Sequence, residues 1–190
     1  PRARVDLLMG FTAASALISL SVLLSAASGQ TAIALTSAPV FSIARQALQQ
    51  FVVIGLTSVG EEFMIRGLAF QVLVRAWPPW LVIGLSASAF GAMHLFNPNS
   101  TWLAAACIVA VGVWFGLMAF RTGSLAMSIG AHLGWNFCEG FIWGQPVSGI
   151  APEGALVKAS WSPTVSFFSG GDFGPESSGL TVVLLTLASV

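Results

Sequence analysis

The sequence predicts an all-α protein: a polytopic transmembrane helix bundle with about five complete spans and a partial one at the C-terminus. Of its 190 residues, 56% are hydrophobic and only 7% are charged, whereas soluble domains carry about 25% charged residues. Several apolar runs approach roughly 20 residues, the length that crosses about 30 Å of hydrocarbon. High hydrophobicity with little charge excludes disorder. A net charge of 0 with scattered basic residues indicates no nucleic-acid partner.

The apolar runs place the predicted spans in chain order. The first, 7–28, carries no charge and is longer than the core of a signal peptide. The second extends from about Ala47 to Val74, and the Pro78-Pro79 pair breaks the chain after it. The others are 80–96, 102–120, 125–143 and the incomplete 180–190, with a loop rich in Gly, Pro and Ser at 144–178.

We interpret residues 1–190 as a single integral membrane domain with a core motif region at 47–143. Because the chain begins with Pro1 and ends inside an apolar run, we expect the natural protein to continue at both ends. The distribution of Lys and Arg favours a cytoplasmic N-terminus. This orientation places four basic residues inside and two outside: Arg2, Arg4, Arg75 and Arg121 against Arg45 and Lys158.

Ionisable residues inside membrane helices usually mark function, because each costs at least about 2.5 to 3.5 kcal/mol on insertion scales. The second, third and fifth spans contain seven residues that are ionisable or strongly polar: Glu61, Glu62, Arg66, His94, His132, Asn136 and Glu139. The first and fourth spans contain none, so we interpret them as lipid-facing packing. The other three spans are predicted to share a polar interior. Glu139, near the end of its helix, is interpreted as a solvated rim residue.

The spacing of the charges separates two kinds of carboxylate. Glu62 and Arg66 are four residues apart, so they lie on one helix face and can form an ion pair. Glu61 lies about 100° around the helix from Glu62 and has no cation three or four residues later. An unpaired carboxylate in an apolar site is suited to act as a general base.

Three motifs in a fixed order resemble a known family. Glu61–Arg66 matches EExxxR, Phe90–His94 matches FxxxH and His132–Asn136 matches HxxxN, each on a predicted span. Together they resemble the CAAX-processing and bacteriocin-processing (CPBP) family of intramembrane endopeptidases. The resemblance covers roughly 47–143, and the segment 170–179 is similar to the family's region before its last helix.

This resemblance implies a glutamate-dependent protease that hydrolyses peptide bonds within the membrane. Glu61 is then the general base that activates water, and His94 holds that water or moves its proton. His132 and Asn136 donate hydrogen bonds to the tetrahedral oxyanion, a role worth several kcal/mol in a dry site.

The resemblance also implies supporting residues and partners. Glu62 and Arg66 are the pair that orients the second helix, and Phe90 packs beside the site. No cofactor and no metal are expected. The implied partners are the lipid bilayer and a peptide or protein substrate of membrane-anchored or prenylated type. We expect the protein to reside in the prokaryotic cell membrane.

Several alternatives stay open at this point. Glu62 and Arg66 also fit a purely structural ion pair. Two His and one Glu resemble the ligands of catalytic zinc, so a zinc-dependent membrane metalloprotease is the rival mechanism, although HExxH is absent. A non-proteolytic immunity or scaffold protein would bind a peptide or a membrane partner through the same residues. A transporter would use the buried charges as an ion path, but the sequence shows no internal repeat.

Overall fold

The computed structural model describes residues 2–164 and 166–189, a helix bundle with one small sheet. In chain order the elements are α1 (Arg2–Ala27), β1 (Thr31–Leu35), α2 (Val40–Arg66), α3 (Leu68–Ala76), α4 (Pro79–Met93), a 3-10 turn (His94–Phe96), α5 (Trp102–Thr122), α6 (Ala126–Phe137), a π-helical turn (Cys138–Ile142), β2 (Val157–Trp161), two further 3-10 turns (Gly171–Phe173 and Pro175–Ser177) and α7 (Gly179–Ala188). Helices satisfy their own backbone hydrogen bonds, which a hydrocarbon environment requires. The predicted all-α class is confirmed.

Three of the described helices are long and apolar enough to cross a membrane: Arg2–Ala27, Pro79–Phe96 and Trp102–Thr122. They coincide with the first, third and fourth predicted spans. The helix α2 has 27 residues but carries the charged residues of the candidate site. The fifth predicted span is divided between α6 and the π-helical turn. By length and composition alone, three of the five predicted complete spans are therefore long and apolar enough to cross a membrane.

The helix α5 lies in the core of the bundle. Ile108, Val111 and Phe115 of α5 are buried in one cluster with Phe90 of α4 and Ile18 of α1. The interpretation of this helix as lipid-facing was therefore wrong. The error has a physical cause, because lipid tails and a protein core are equally apolar, and an uncharged helix has the same composition in either place.

Glycines allow α1 and α6 to pack backbone against backbone. A Cβ atom on Gly130 would overlap the carbonyl oxygen of Leu7, and one on Gly134 would overlap that of Phe11. Small residues of this kind are typical of close helix pairs in membranes. The contact positions α6, which carries His132 between the two glycines.

We expect Gly130→Ala to destabilise the protein by about 1 to 3 kcal/mol, the usual cost of overpacking. The added methyl group meets a backbone carbonyl, which moves only if α1 and α6 separate. Thermal unfolding of the purified protein in detergent measures the effect. Gly84→Ala is the matched control, because nothing lies within 4 Å of a Cβ atom built there. Equal unfolding midpoints for the two variants would contradict the close approach.

The second predicted span is not one continuous helix. The helix α2 ends at Arg66, and α3 begins at Leu68. A Cβ atom on Gly67 would overlap the carbonyl oxygen of Phe63, so glycine is required at this bend. The predicted continuation to Val74 was wrong because apolar residues continue on both sides of the break, and hydropathy does not detect it.

The sheet pairs two segments that the sequence does not identify as strands. Thr31–Leu35 runs antiparallel to Val157–Trp161, and the second of these lies in the region predicted as a loop. Next to the sheet, the amide of Leu156 donates to the carbonyl oxygen of Phe141, at 2.8 Å. These bonds hold the segment 144–156 against the bundle, where part of it lines the candidate site.

Candidate active site

A buried ion pair anchors the charged face of α2. Arg66 Nη1 donates to Glu62 Oε1 at 2.8 Å, and both side chains are fully buried. Arg66 Nη2 donates to the carbonyl oxygen of Gly112 on α5 at 3.0 Å. The guanidinium carbon also lies 4.4 Å from the centre of the Phe90 ring on α4. The ion pair predicted from the four-residue spacing is therefore present, and it joins α2 to two other helices.

His132 continues this buried network from α6. Its Nδ1 lies 3.2 Å from Glu62 Oε1, and because an ionised carboxylate only accepts, Nδ1 donates. The ring stacks on Phe115, with centroids 5.1 Å apart, and meets Phe90 edge to face. These contacts hold the ring so that Nε2 lies 3.8 Å from Glu61 Oε2.

His94 begins the 3-10 turn that follows α4. Its Nδ1 donates to the carbonyl oxygen of Phe90, four residues earlier, at 2.8 Å. The two rings also pack together, with centroids 4.6 Å apart. Since Nδ1 is engaged with the backbone, Nε2 is the nitrogen of His94 that remains for other partners.

One cavity of about 410 Å³ brings the four candidate catalytic residues together: Glu61, His94, His132 and Asn136 line it. The two histidines are buried, whereas Glu61 and Asn136 are half-buried. Asn136 follows His132 by one turn of α6, so both side chains leave the helix on the same side. The three supporting candidates are buried behind the cavity wall: Glu62, Arg66 and Phe90.

The rest of the cavity lining mixes polar and apolar side chains and contains no Lys or Arg among its described residues. Gln49, Gln50 and Thr57 come from α2, and Ser148 and Glu153 come from the segment after the π-helical turn. Amide and hydroxyl groups both donate and accept hydrogen bonds. Such walls are suited to an extended peptide, whose backbone offers both kinds of group.

Comparison with known families identifies a family for the part of the chain that contains the three motifs. Residues 43–138, half of the chain, match the family model described as type II CAAX prenyl endopeptidase, Rce1-like. The chain belongs to this family. The family resemblance inferred from the three motifs is therefore confirmed, and the chain is a CAAX-type membrane endopeptidase. Comparison with curated proteins gave no match, and comparison with solved structures gave none either.

The endopeptidase buries two acids whose burial the sequence did not predict. Glu139, predicted as a solvated rim residue, is fully buried, which corrects that interpretation. The loop before α7 folds back over it, so that a Cβ atom on Gly174 would lie 3.2 Å from Glu139 Oε1. Neither Glu139 carboxyl oxygen has a hydrogen-bond partner within the described ranges. Glu176 of the same loop is also buried, and its only sequence signal was the family-like segment 170–179.

A zinc-dependent protease mechanism requires several side chains that bind the same metal ion. Within residues 2–164 and 166–189, no group of three or more His, Cys, Asp or Glu side chains is arranged to hold a metal ion. Glu62 Oε1 is engaged by Arg66 and His132, so this oxygen is not free to bind a metal ion. The described side chains are therefore not arranged as a zinc centre.

Proposed function

We propose that this protein hydrolyses a peptide bond with water activated by Glu61 and without a metal ion. The observation that carries the proposal is the shared cavity of the four polar side chains. In it, the half-buried Glu61 carboxylate, which has no Lys or Arg partner in the described part of the chain, lies 3.8 Å from the Nε2 atom of a fixed imidazole, that of His132.

Glu61 accepts a proton from the attacking water as the new carbon–oxygen bond forms. A positioned general base of this type contributes roughly 10²- to 10⁴-fold to the rate. The proton taken up by Glu61 is then delivered to the leaving nitrogen. His94 Nε2, whose ring is held by its bond to the Phe90 carbonyl, holds the water or relays that proton. The peptide carbon–nitrogen bond then breaks, and the amine leaves with that proton.

His132 and Asn136 stabilise the negative charge on the carbonyl oxygen during attack. Nδ1–H of His132 donates to Glu62, and Nε2 is the ring nitrogen on the cavity side, where an N–H would point at the oxyanion. The Asn136 amide supplies a second donor from the next turn of α6. A preorganised donor of this type is worth about 2.7 to 4 kcal/mol in the transition state.

Glu62 and Arg66 support this reaction as positioning residues. Glu62 Oε1 holds both the guanidinium of Arg66 and the Nδ1–H of His132. The ion pair therefore fixes the direction of His132 as well as that of α2. Phe90 packs against His94 and Arg66 and excludes water between them.

We also propose that the substrate is membrane-anchored or prenylated and enters from the bilayer of a prokaryotic cell. Val53 supports this route, because it lines the cavity and is 55% exposed. Leu56 and Phe63, further along α2, are exposed and apolar as well. A hydrophobic chain can thus lie along α2 while its peptide part reaches Glu61.

The wild-type protein, purified and reconstituted in liposomes, is expected to cleave peptides at the same rate with and without EDTA or phenanthroline. CAAX-tailed peptides with and without the prenyl group, offered in parallel, show whether the lipid is recognised. Loss of cleavage with the chelator, and its return with zinc, would overturn the metal-free reaction.

A binding role without turnover gives a different pattern. In that case no peptide is cleaved, and the wild type, Glu61→Ala and His94→Ala have equal biological activity. This pattern would reject the protease proposal in favour of an immunity or scaffold protein.

A further inference from the structure

A tight turn, Val147–Ile150, forms one edge of the cavity. The amide of each terminal residue donates to the carbonyl oxygen of the other at 2.9 Å. The central residues, Ser148 and Gly149, have φ angles of 48° and 84°. These values are typical of a type I′ turn, in which both central positions favour Gly, Asn or Asp. A serine at positive φ is uncommon, so its surroundings must stabilise it.

Four hydrogen bonds hold this turn in place. Asn97 and Asn99, in the connection between α4 and α5, donate to the carbonyl oxygens of Ser148 and Gly149 at 3.1 and 3.3 Å. The Gly149 amide donates to a carbonyl oxygen of the 3-10 turn before Gly174, at 2.7 Å. The fourth bond uses the one polar side chain of the turn. In it, the Ser148 hydroxyl and Glu176 Oε1 lie 2.6 Å apart.

Glu176 is held rigidly enough to act as an anchor. Its side chain is 3% exposed, and its 3-10 turn packs against α5. Burial raises the pKa of Glu176, which favours the protonated form over a wider pH range than for an exposed glutamate. In either form a carboxyl oxygen accepts from Ser148. The other ionisable groups that face this carboxyl are Glu139, His94, His132 and Cys107.

We propose that Glu176 is a positioning residue that holds the turn Val147–Ile150 at the cavity through Ser148 and thereby sets the width of the substrate cleft. This proposal rests on the protease function proposed above, because the substrate has to share the cavity with the turn. Val147, Ser148 and Ile150 line the same cavity as Glu61. Loosening the turn leaves the catalytic side chains in place, so substrate binding is affected more than the chemical step.

Steady-state kinetics in liposomes test the bond between the two side chains. Ser148→Gly removes the hydroxyl and suits the positive φ, and we expect KM to rise about threefold to tenfold, as for the loss of one hydrogen bond, with kcat nearly unchanged. Glu176→Leu is expected to give the same rise, and the double variant no further rise. Glu176→Gln keeps an acceptor oxygen and is expected to retain the wild-type KM. Ser37→Gly removes an exposed serine and is the matched control.

Hydrogen exchange of the amides at 147–150 gives a readout that does not depend on catalysis. We expect faster exchange in Ser148→Gly and Glu176→Leu than in the wild type and Glu176→Gln. Unchanged exchange, or a lower kcat with an unchanged KM, would overturn the positioning role. If the wild type cleaves no peptide, the protease proposal fails, and the exchange rates still decide whether Glu176 holds the turn.

Discussion

Glu61→Gln is expected to lower kcat/KM about 10²- to 10⁴-fold, the contribution of a positioned general base. Glutamine keeps the size and the hydrogen-bonding atoms of the side chain, but its amide does not take a proton from water. The only basic side chain that Glu61 has within 4.0 Å among the described residues is His132, at 3.8 Å. The substitution therefore breaks no Arg or Lys pair, and the unfolding temperature should stay close to that of the wild type.

Initial rates in liposomes, with a peptide that the wild type cleaves, measure this effect. Asp6→Asn is the matched control, because it removes a half-buried carboxylate of α1 that does not line the cavity. Its rate is expected to equal that of the wild type. A Glu61→Gln variant with the wild-type rate would assign the proton transfer to another group.

The candidate site was more predictable than the packing around it. The pairing of Glu62 with Arg66 depends only on helical spacing, and the spacing of His132 and Asn136 places both on one side of α6 for the same reason. Their common cavity with Glu61 and His94 depends on how three helices meet. The concentration of ionisable residues on these helices indicated a shared polar interior, and the resemblance to a family indicated which of those residues form the site. The catalytic roles of these residues remain predictions.

Features decided by contacts distant in sequence were not predicted. The strands Thr31–Leu35 and Val157–Trp161 are five residues each, too short for a clear alternation, and pair across most of the chain. Glu139 was placed at a solvated rim because it is near the end of its span. It is buried because the loop containing Gly174 and Glu176 returns over it. No local pattern of residues indicates that return.

Arg66→Met is expected to lower the free energy of unfolding by about 3 to 5 kcal/mol, the usual cost of breaking a buried ion pair from one side. Glu62 would keep its charge in a fully buried position, with His132 as its remaining partner. The carbonyl oxygen of Gly112 would also lose its donor. Thermal and denaturant unfolding in detergent measure the loss. Arg75→Met, an exposed arginine on α3, is the matched control and should change little.

A double variant separates the structural role of this pair from its role in the reaction. Combining Glu62→Gln with Arg66→Met removes the unpaired charge, so we expect part of the stability lost in Arg66→Met to return, with a coupling energy above about 1 kcal/mol. Peptide cleavage should not return with it, because His132 Nδ1 no longer donates to a carboxylate. Additive losses of stability would show that the two charges do not depend on each other. Full recovery of cleavage would mean that the pair is purely structural, since the direction of His132 would then not require Glu62.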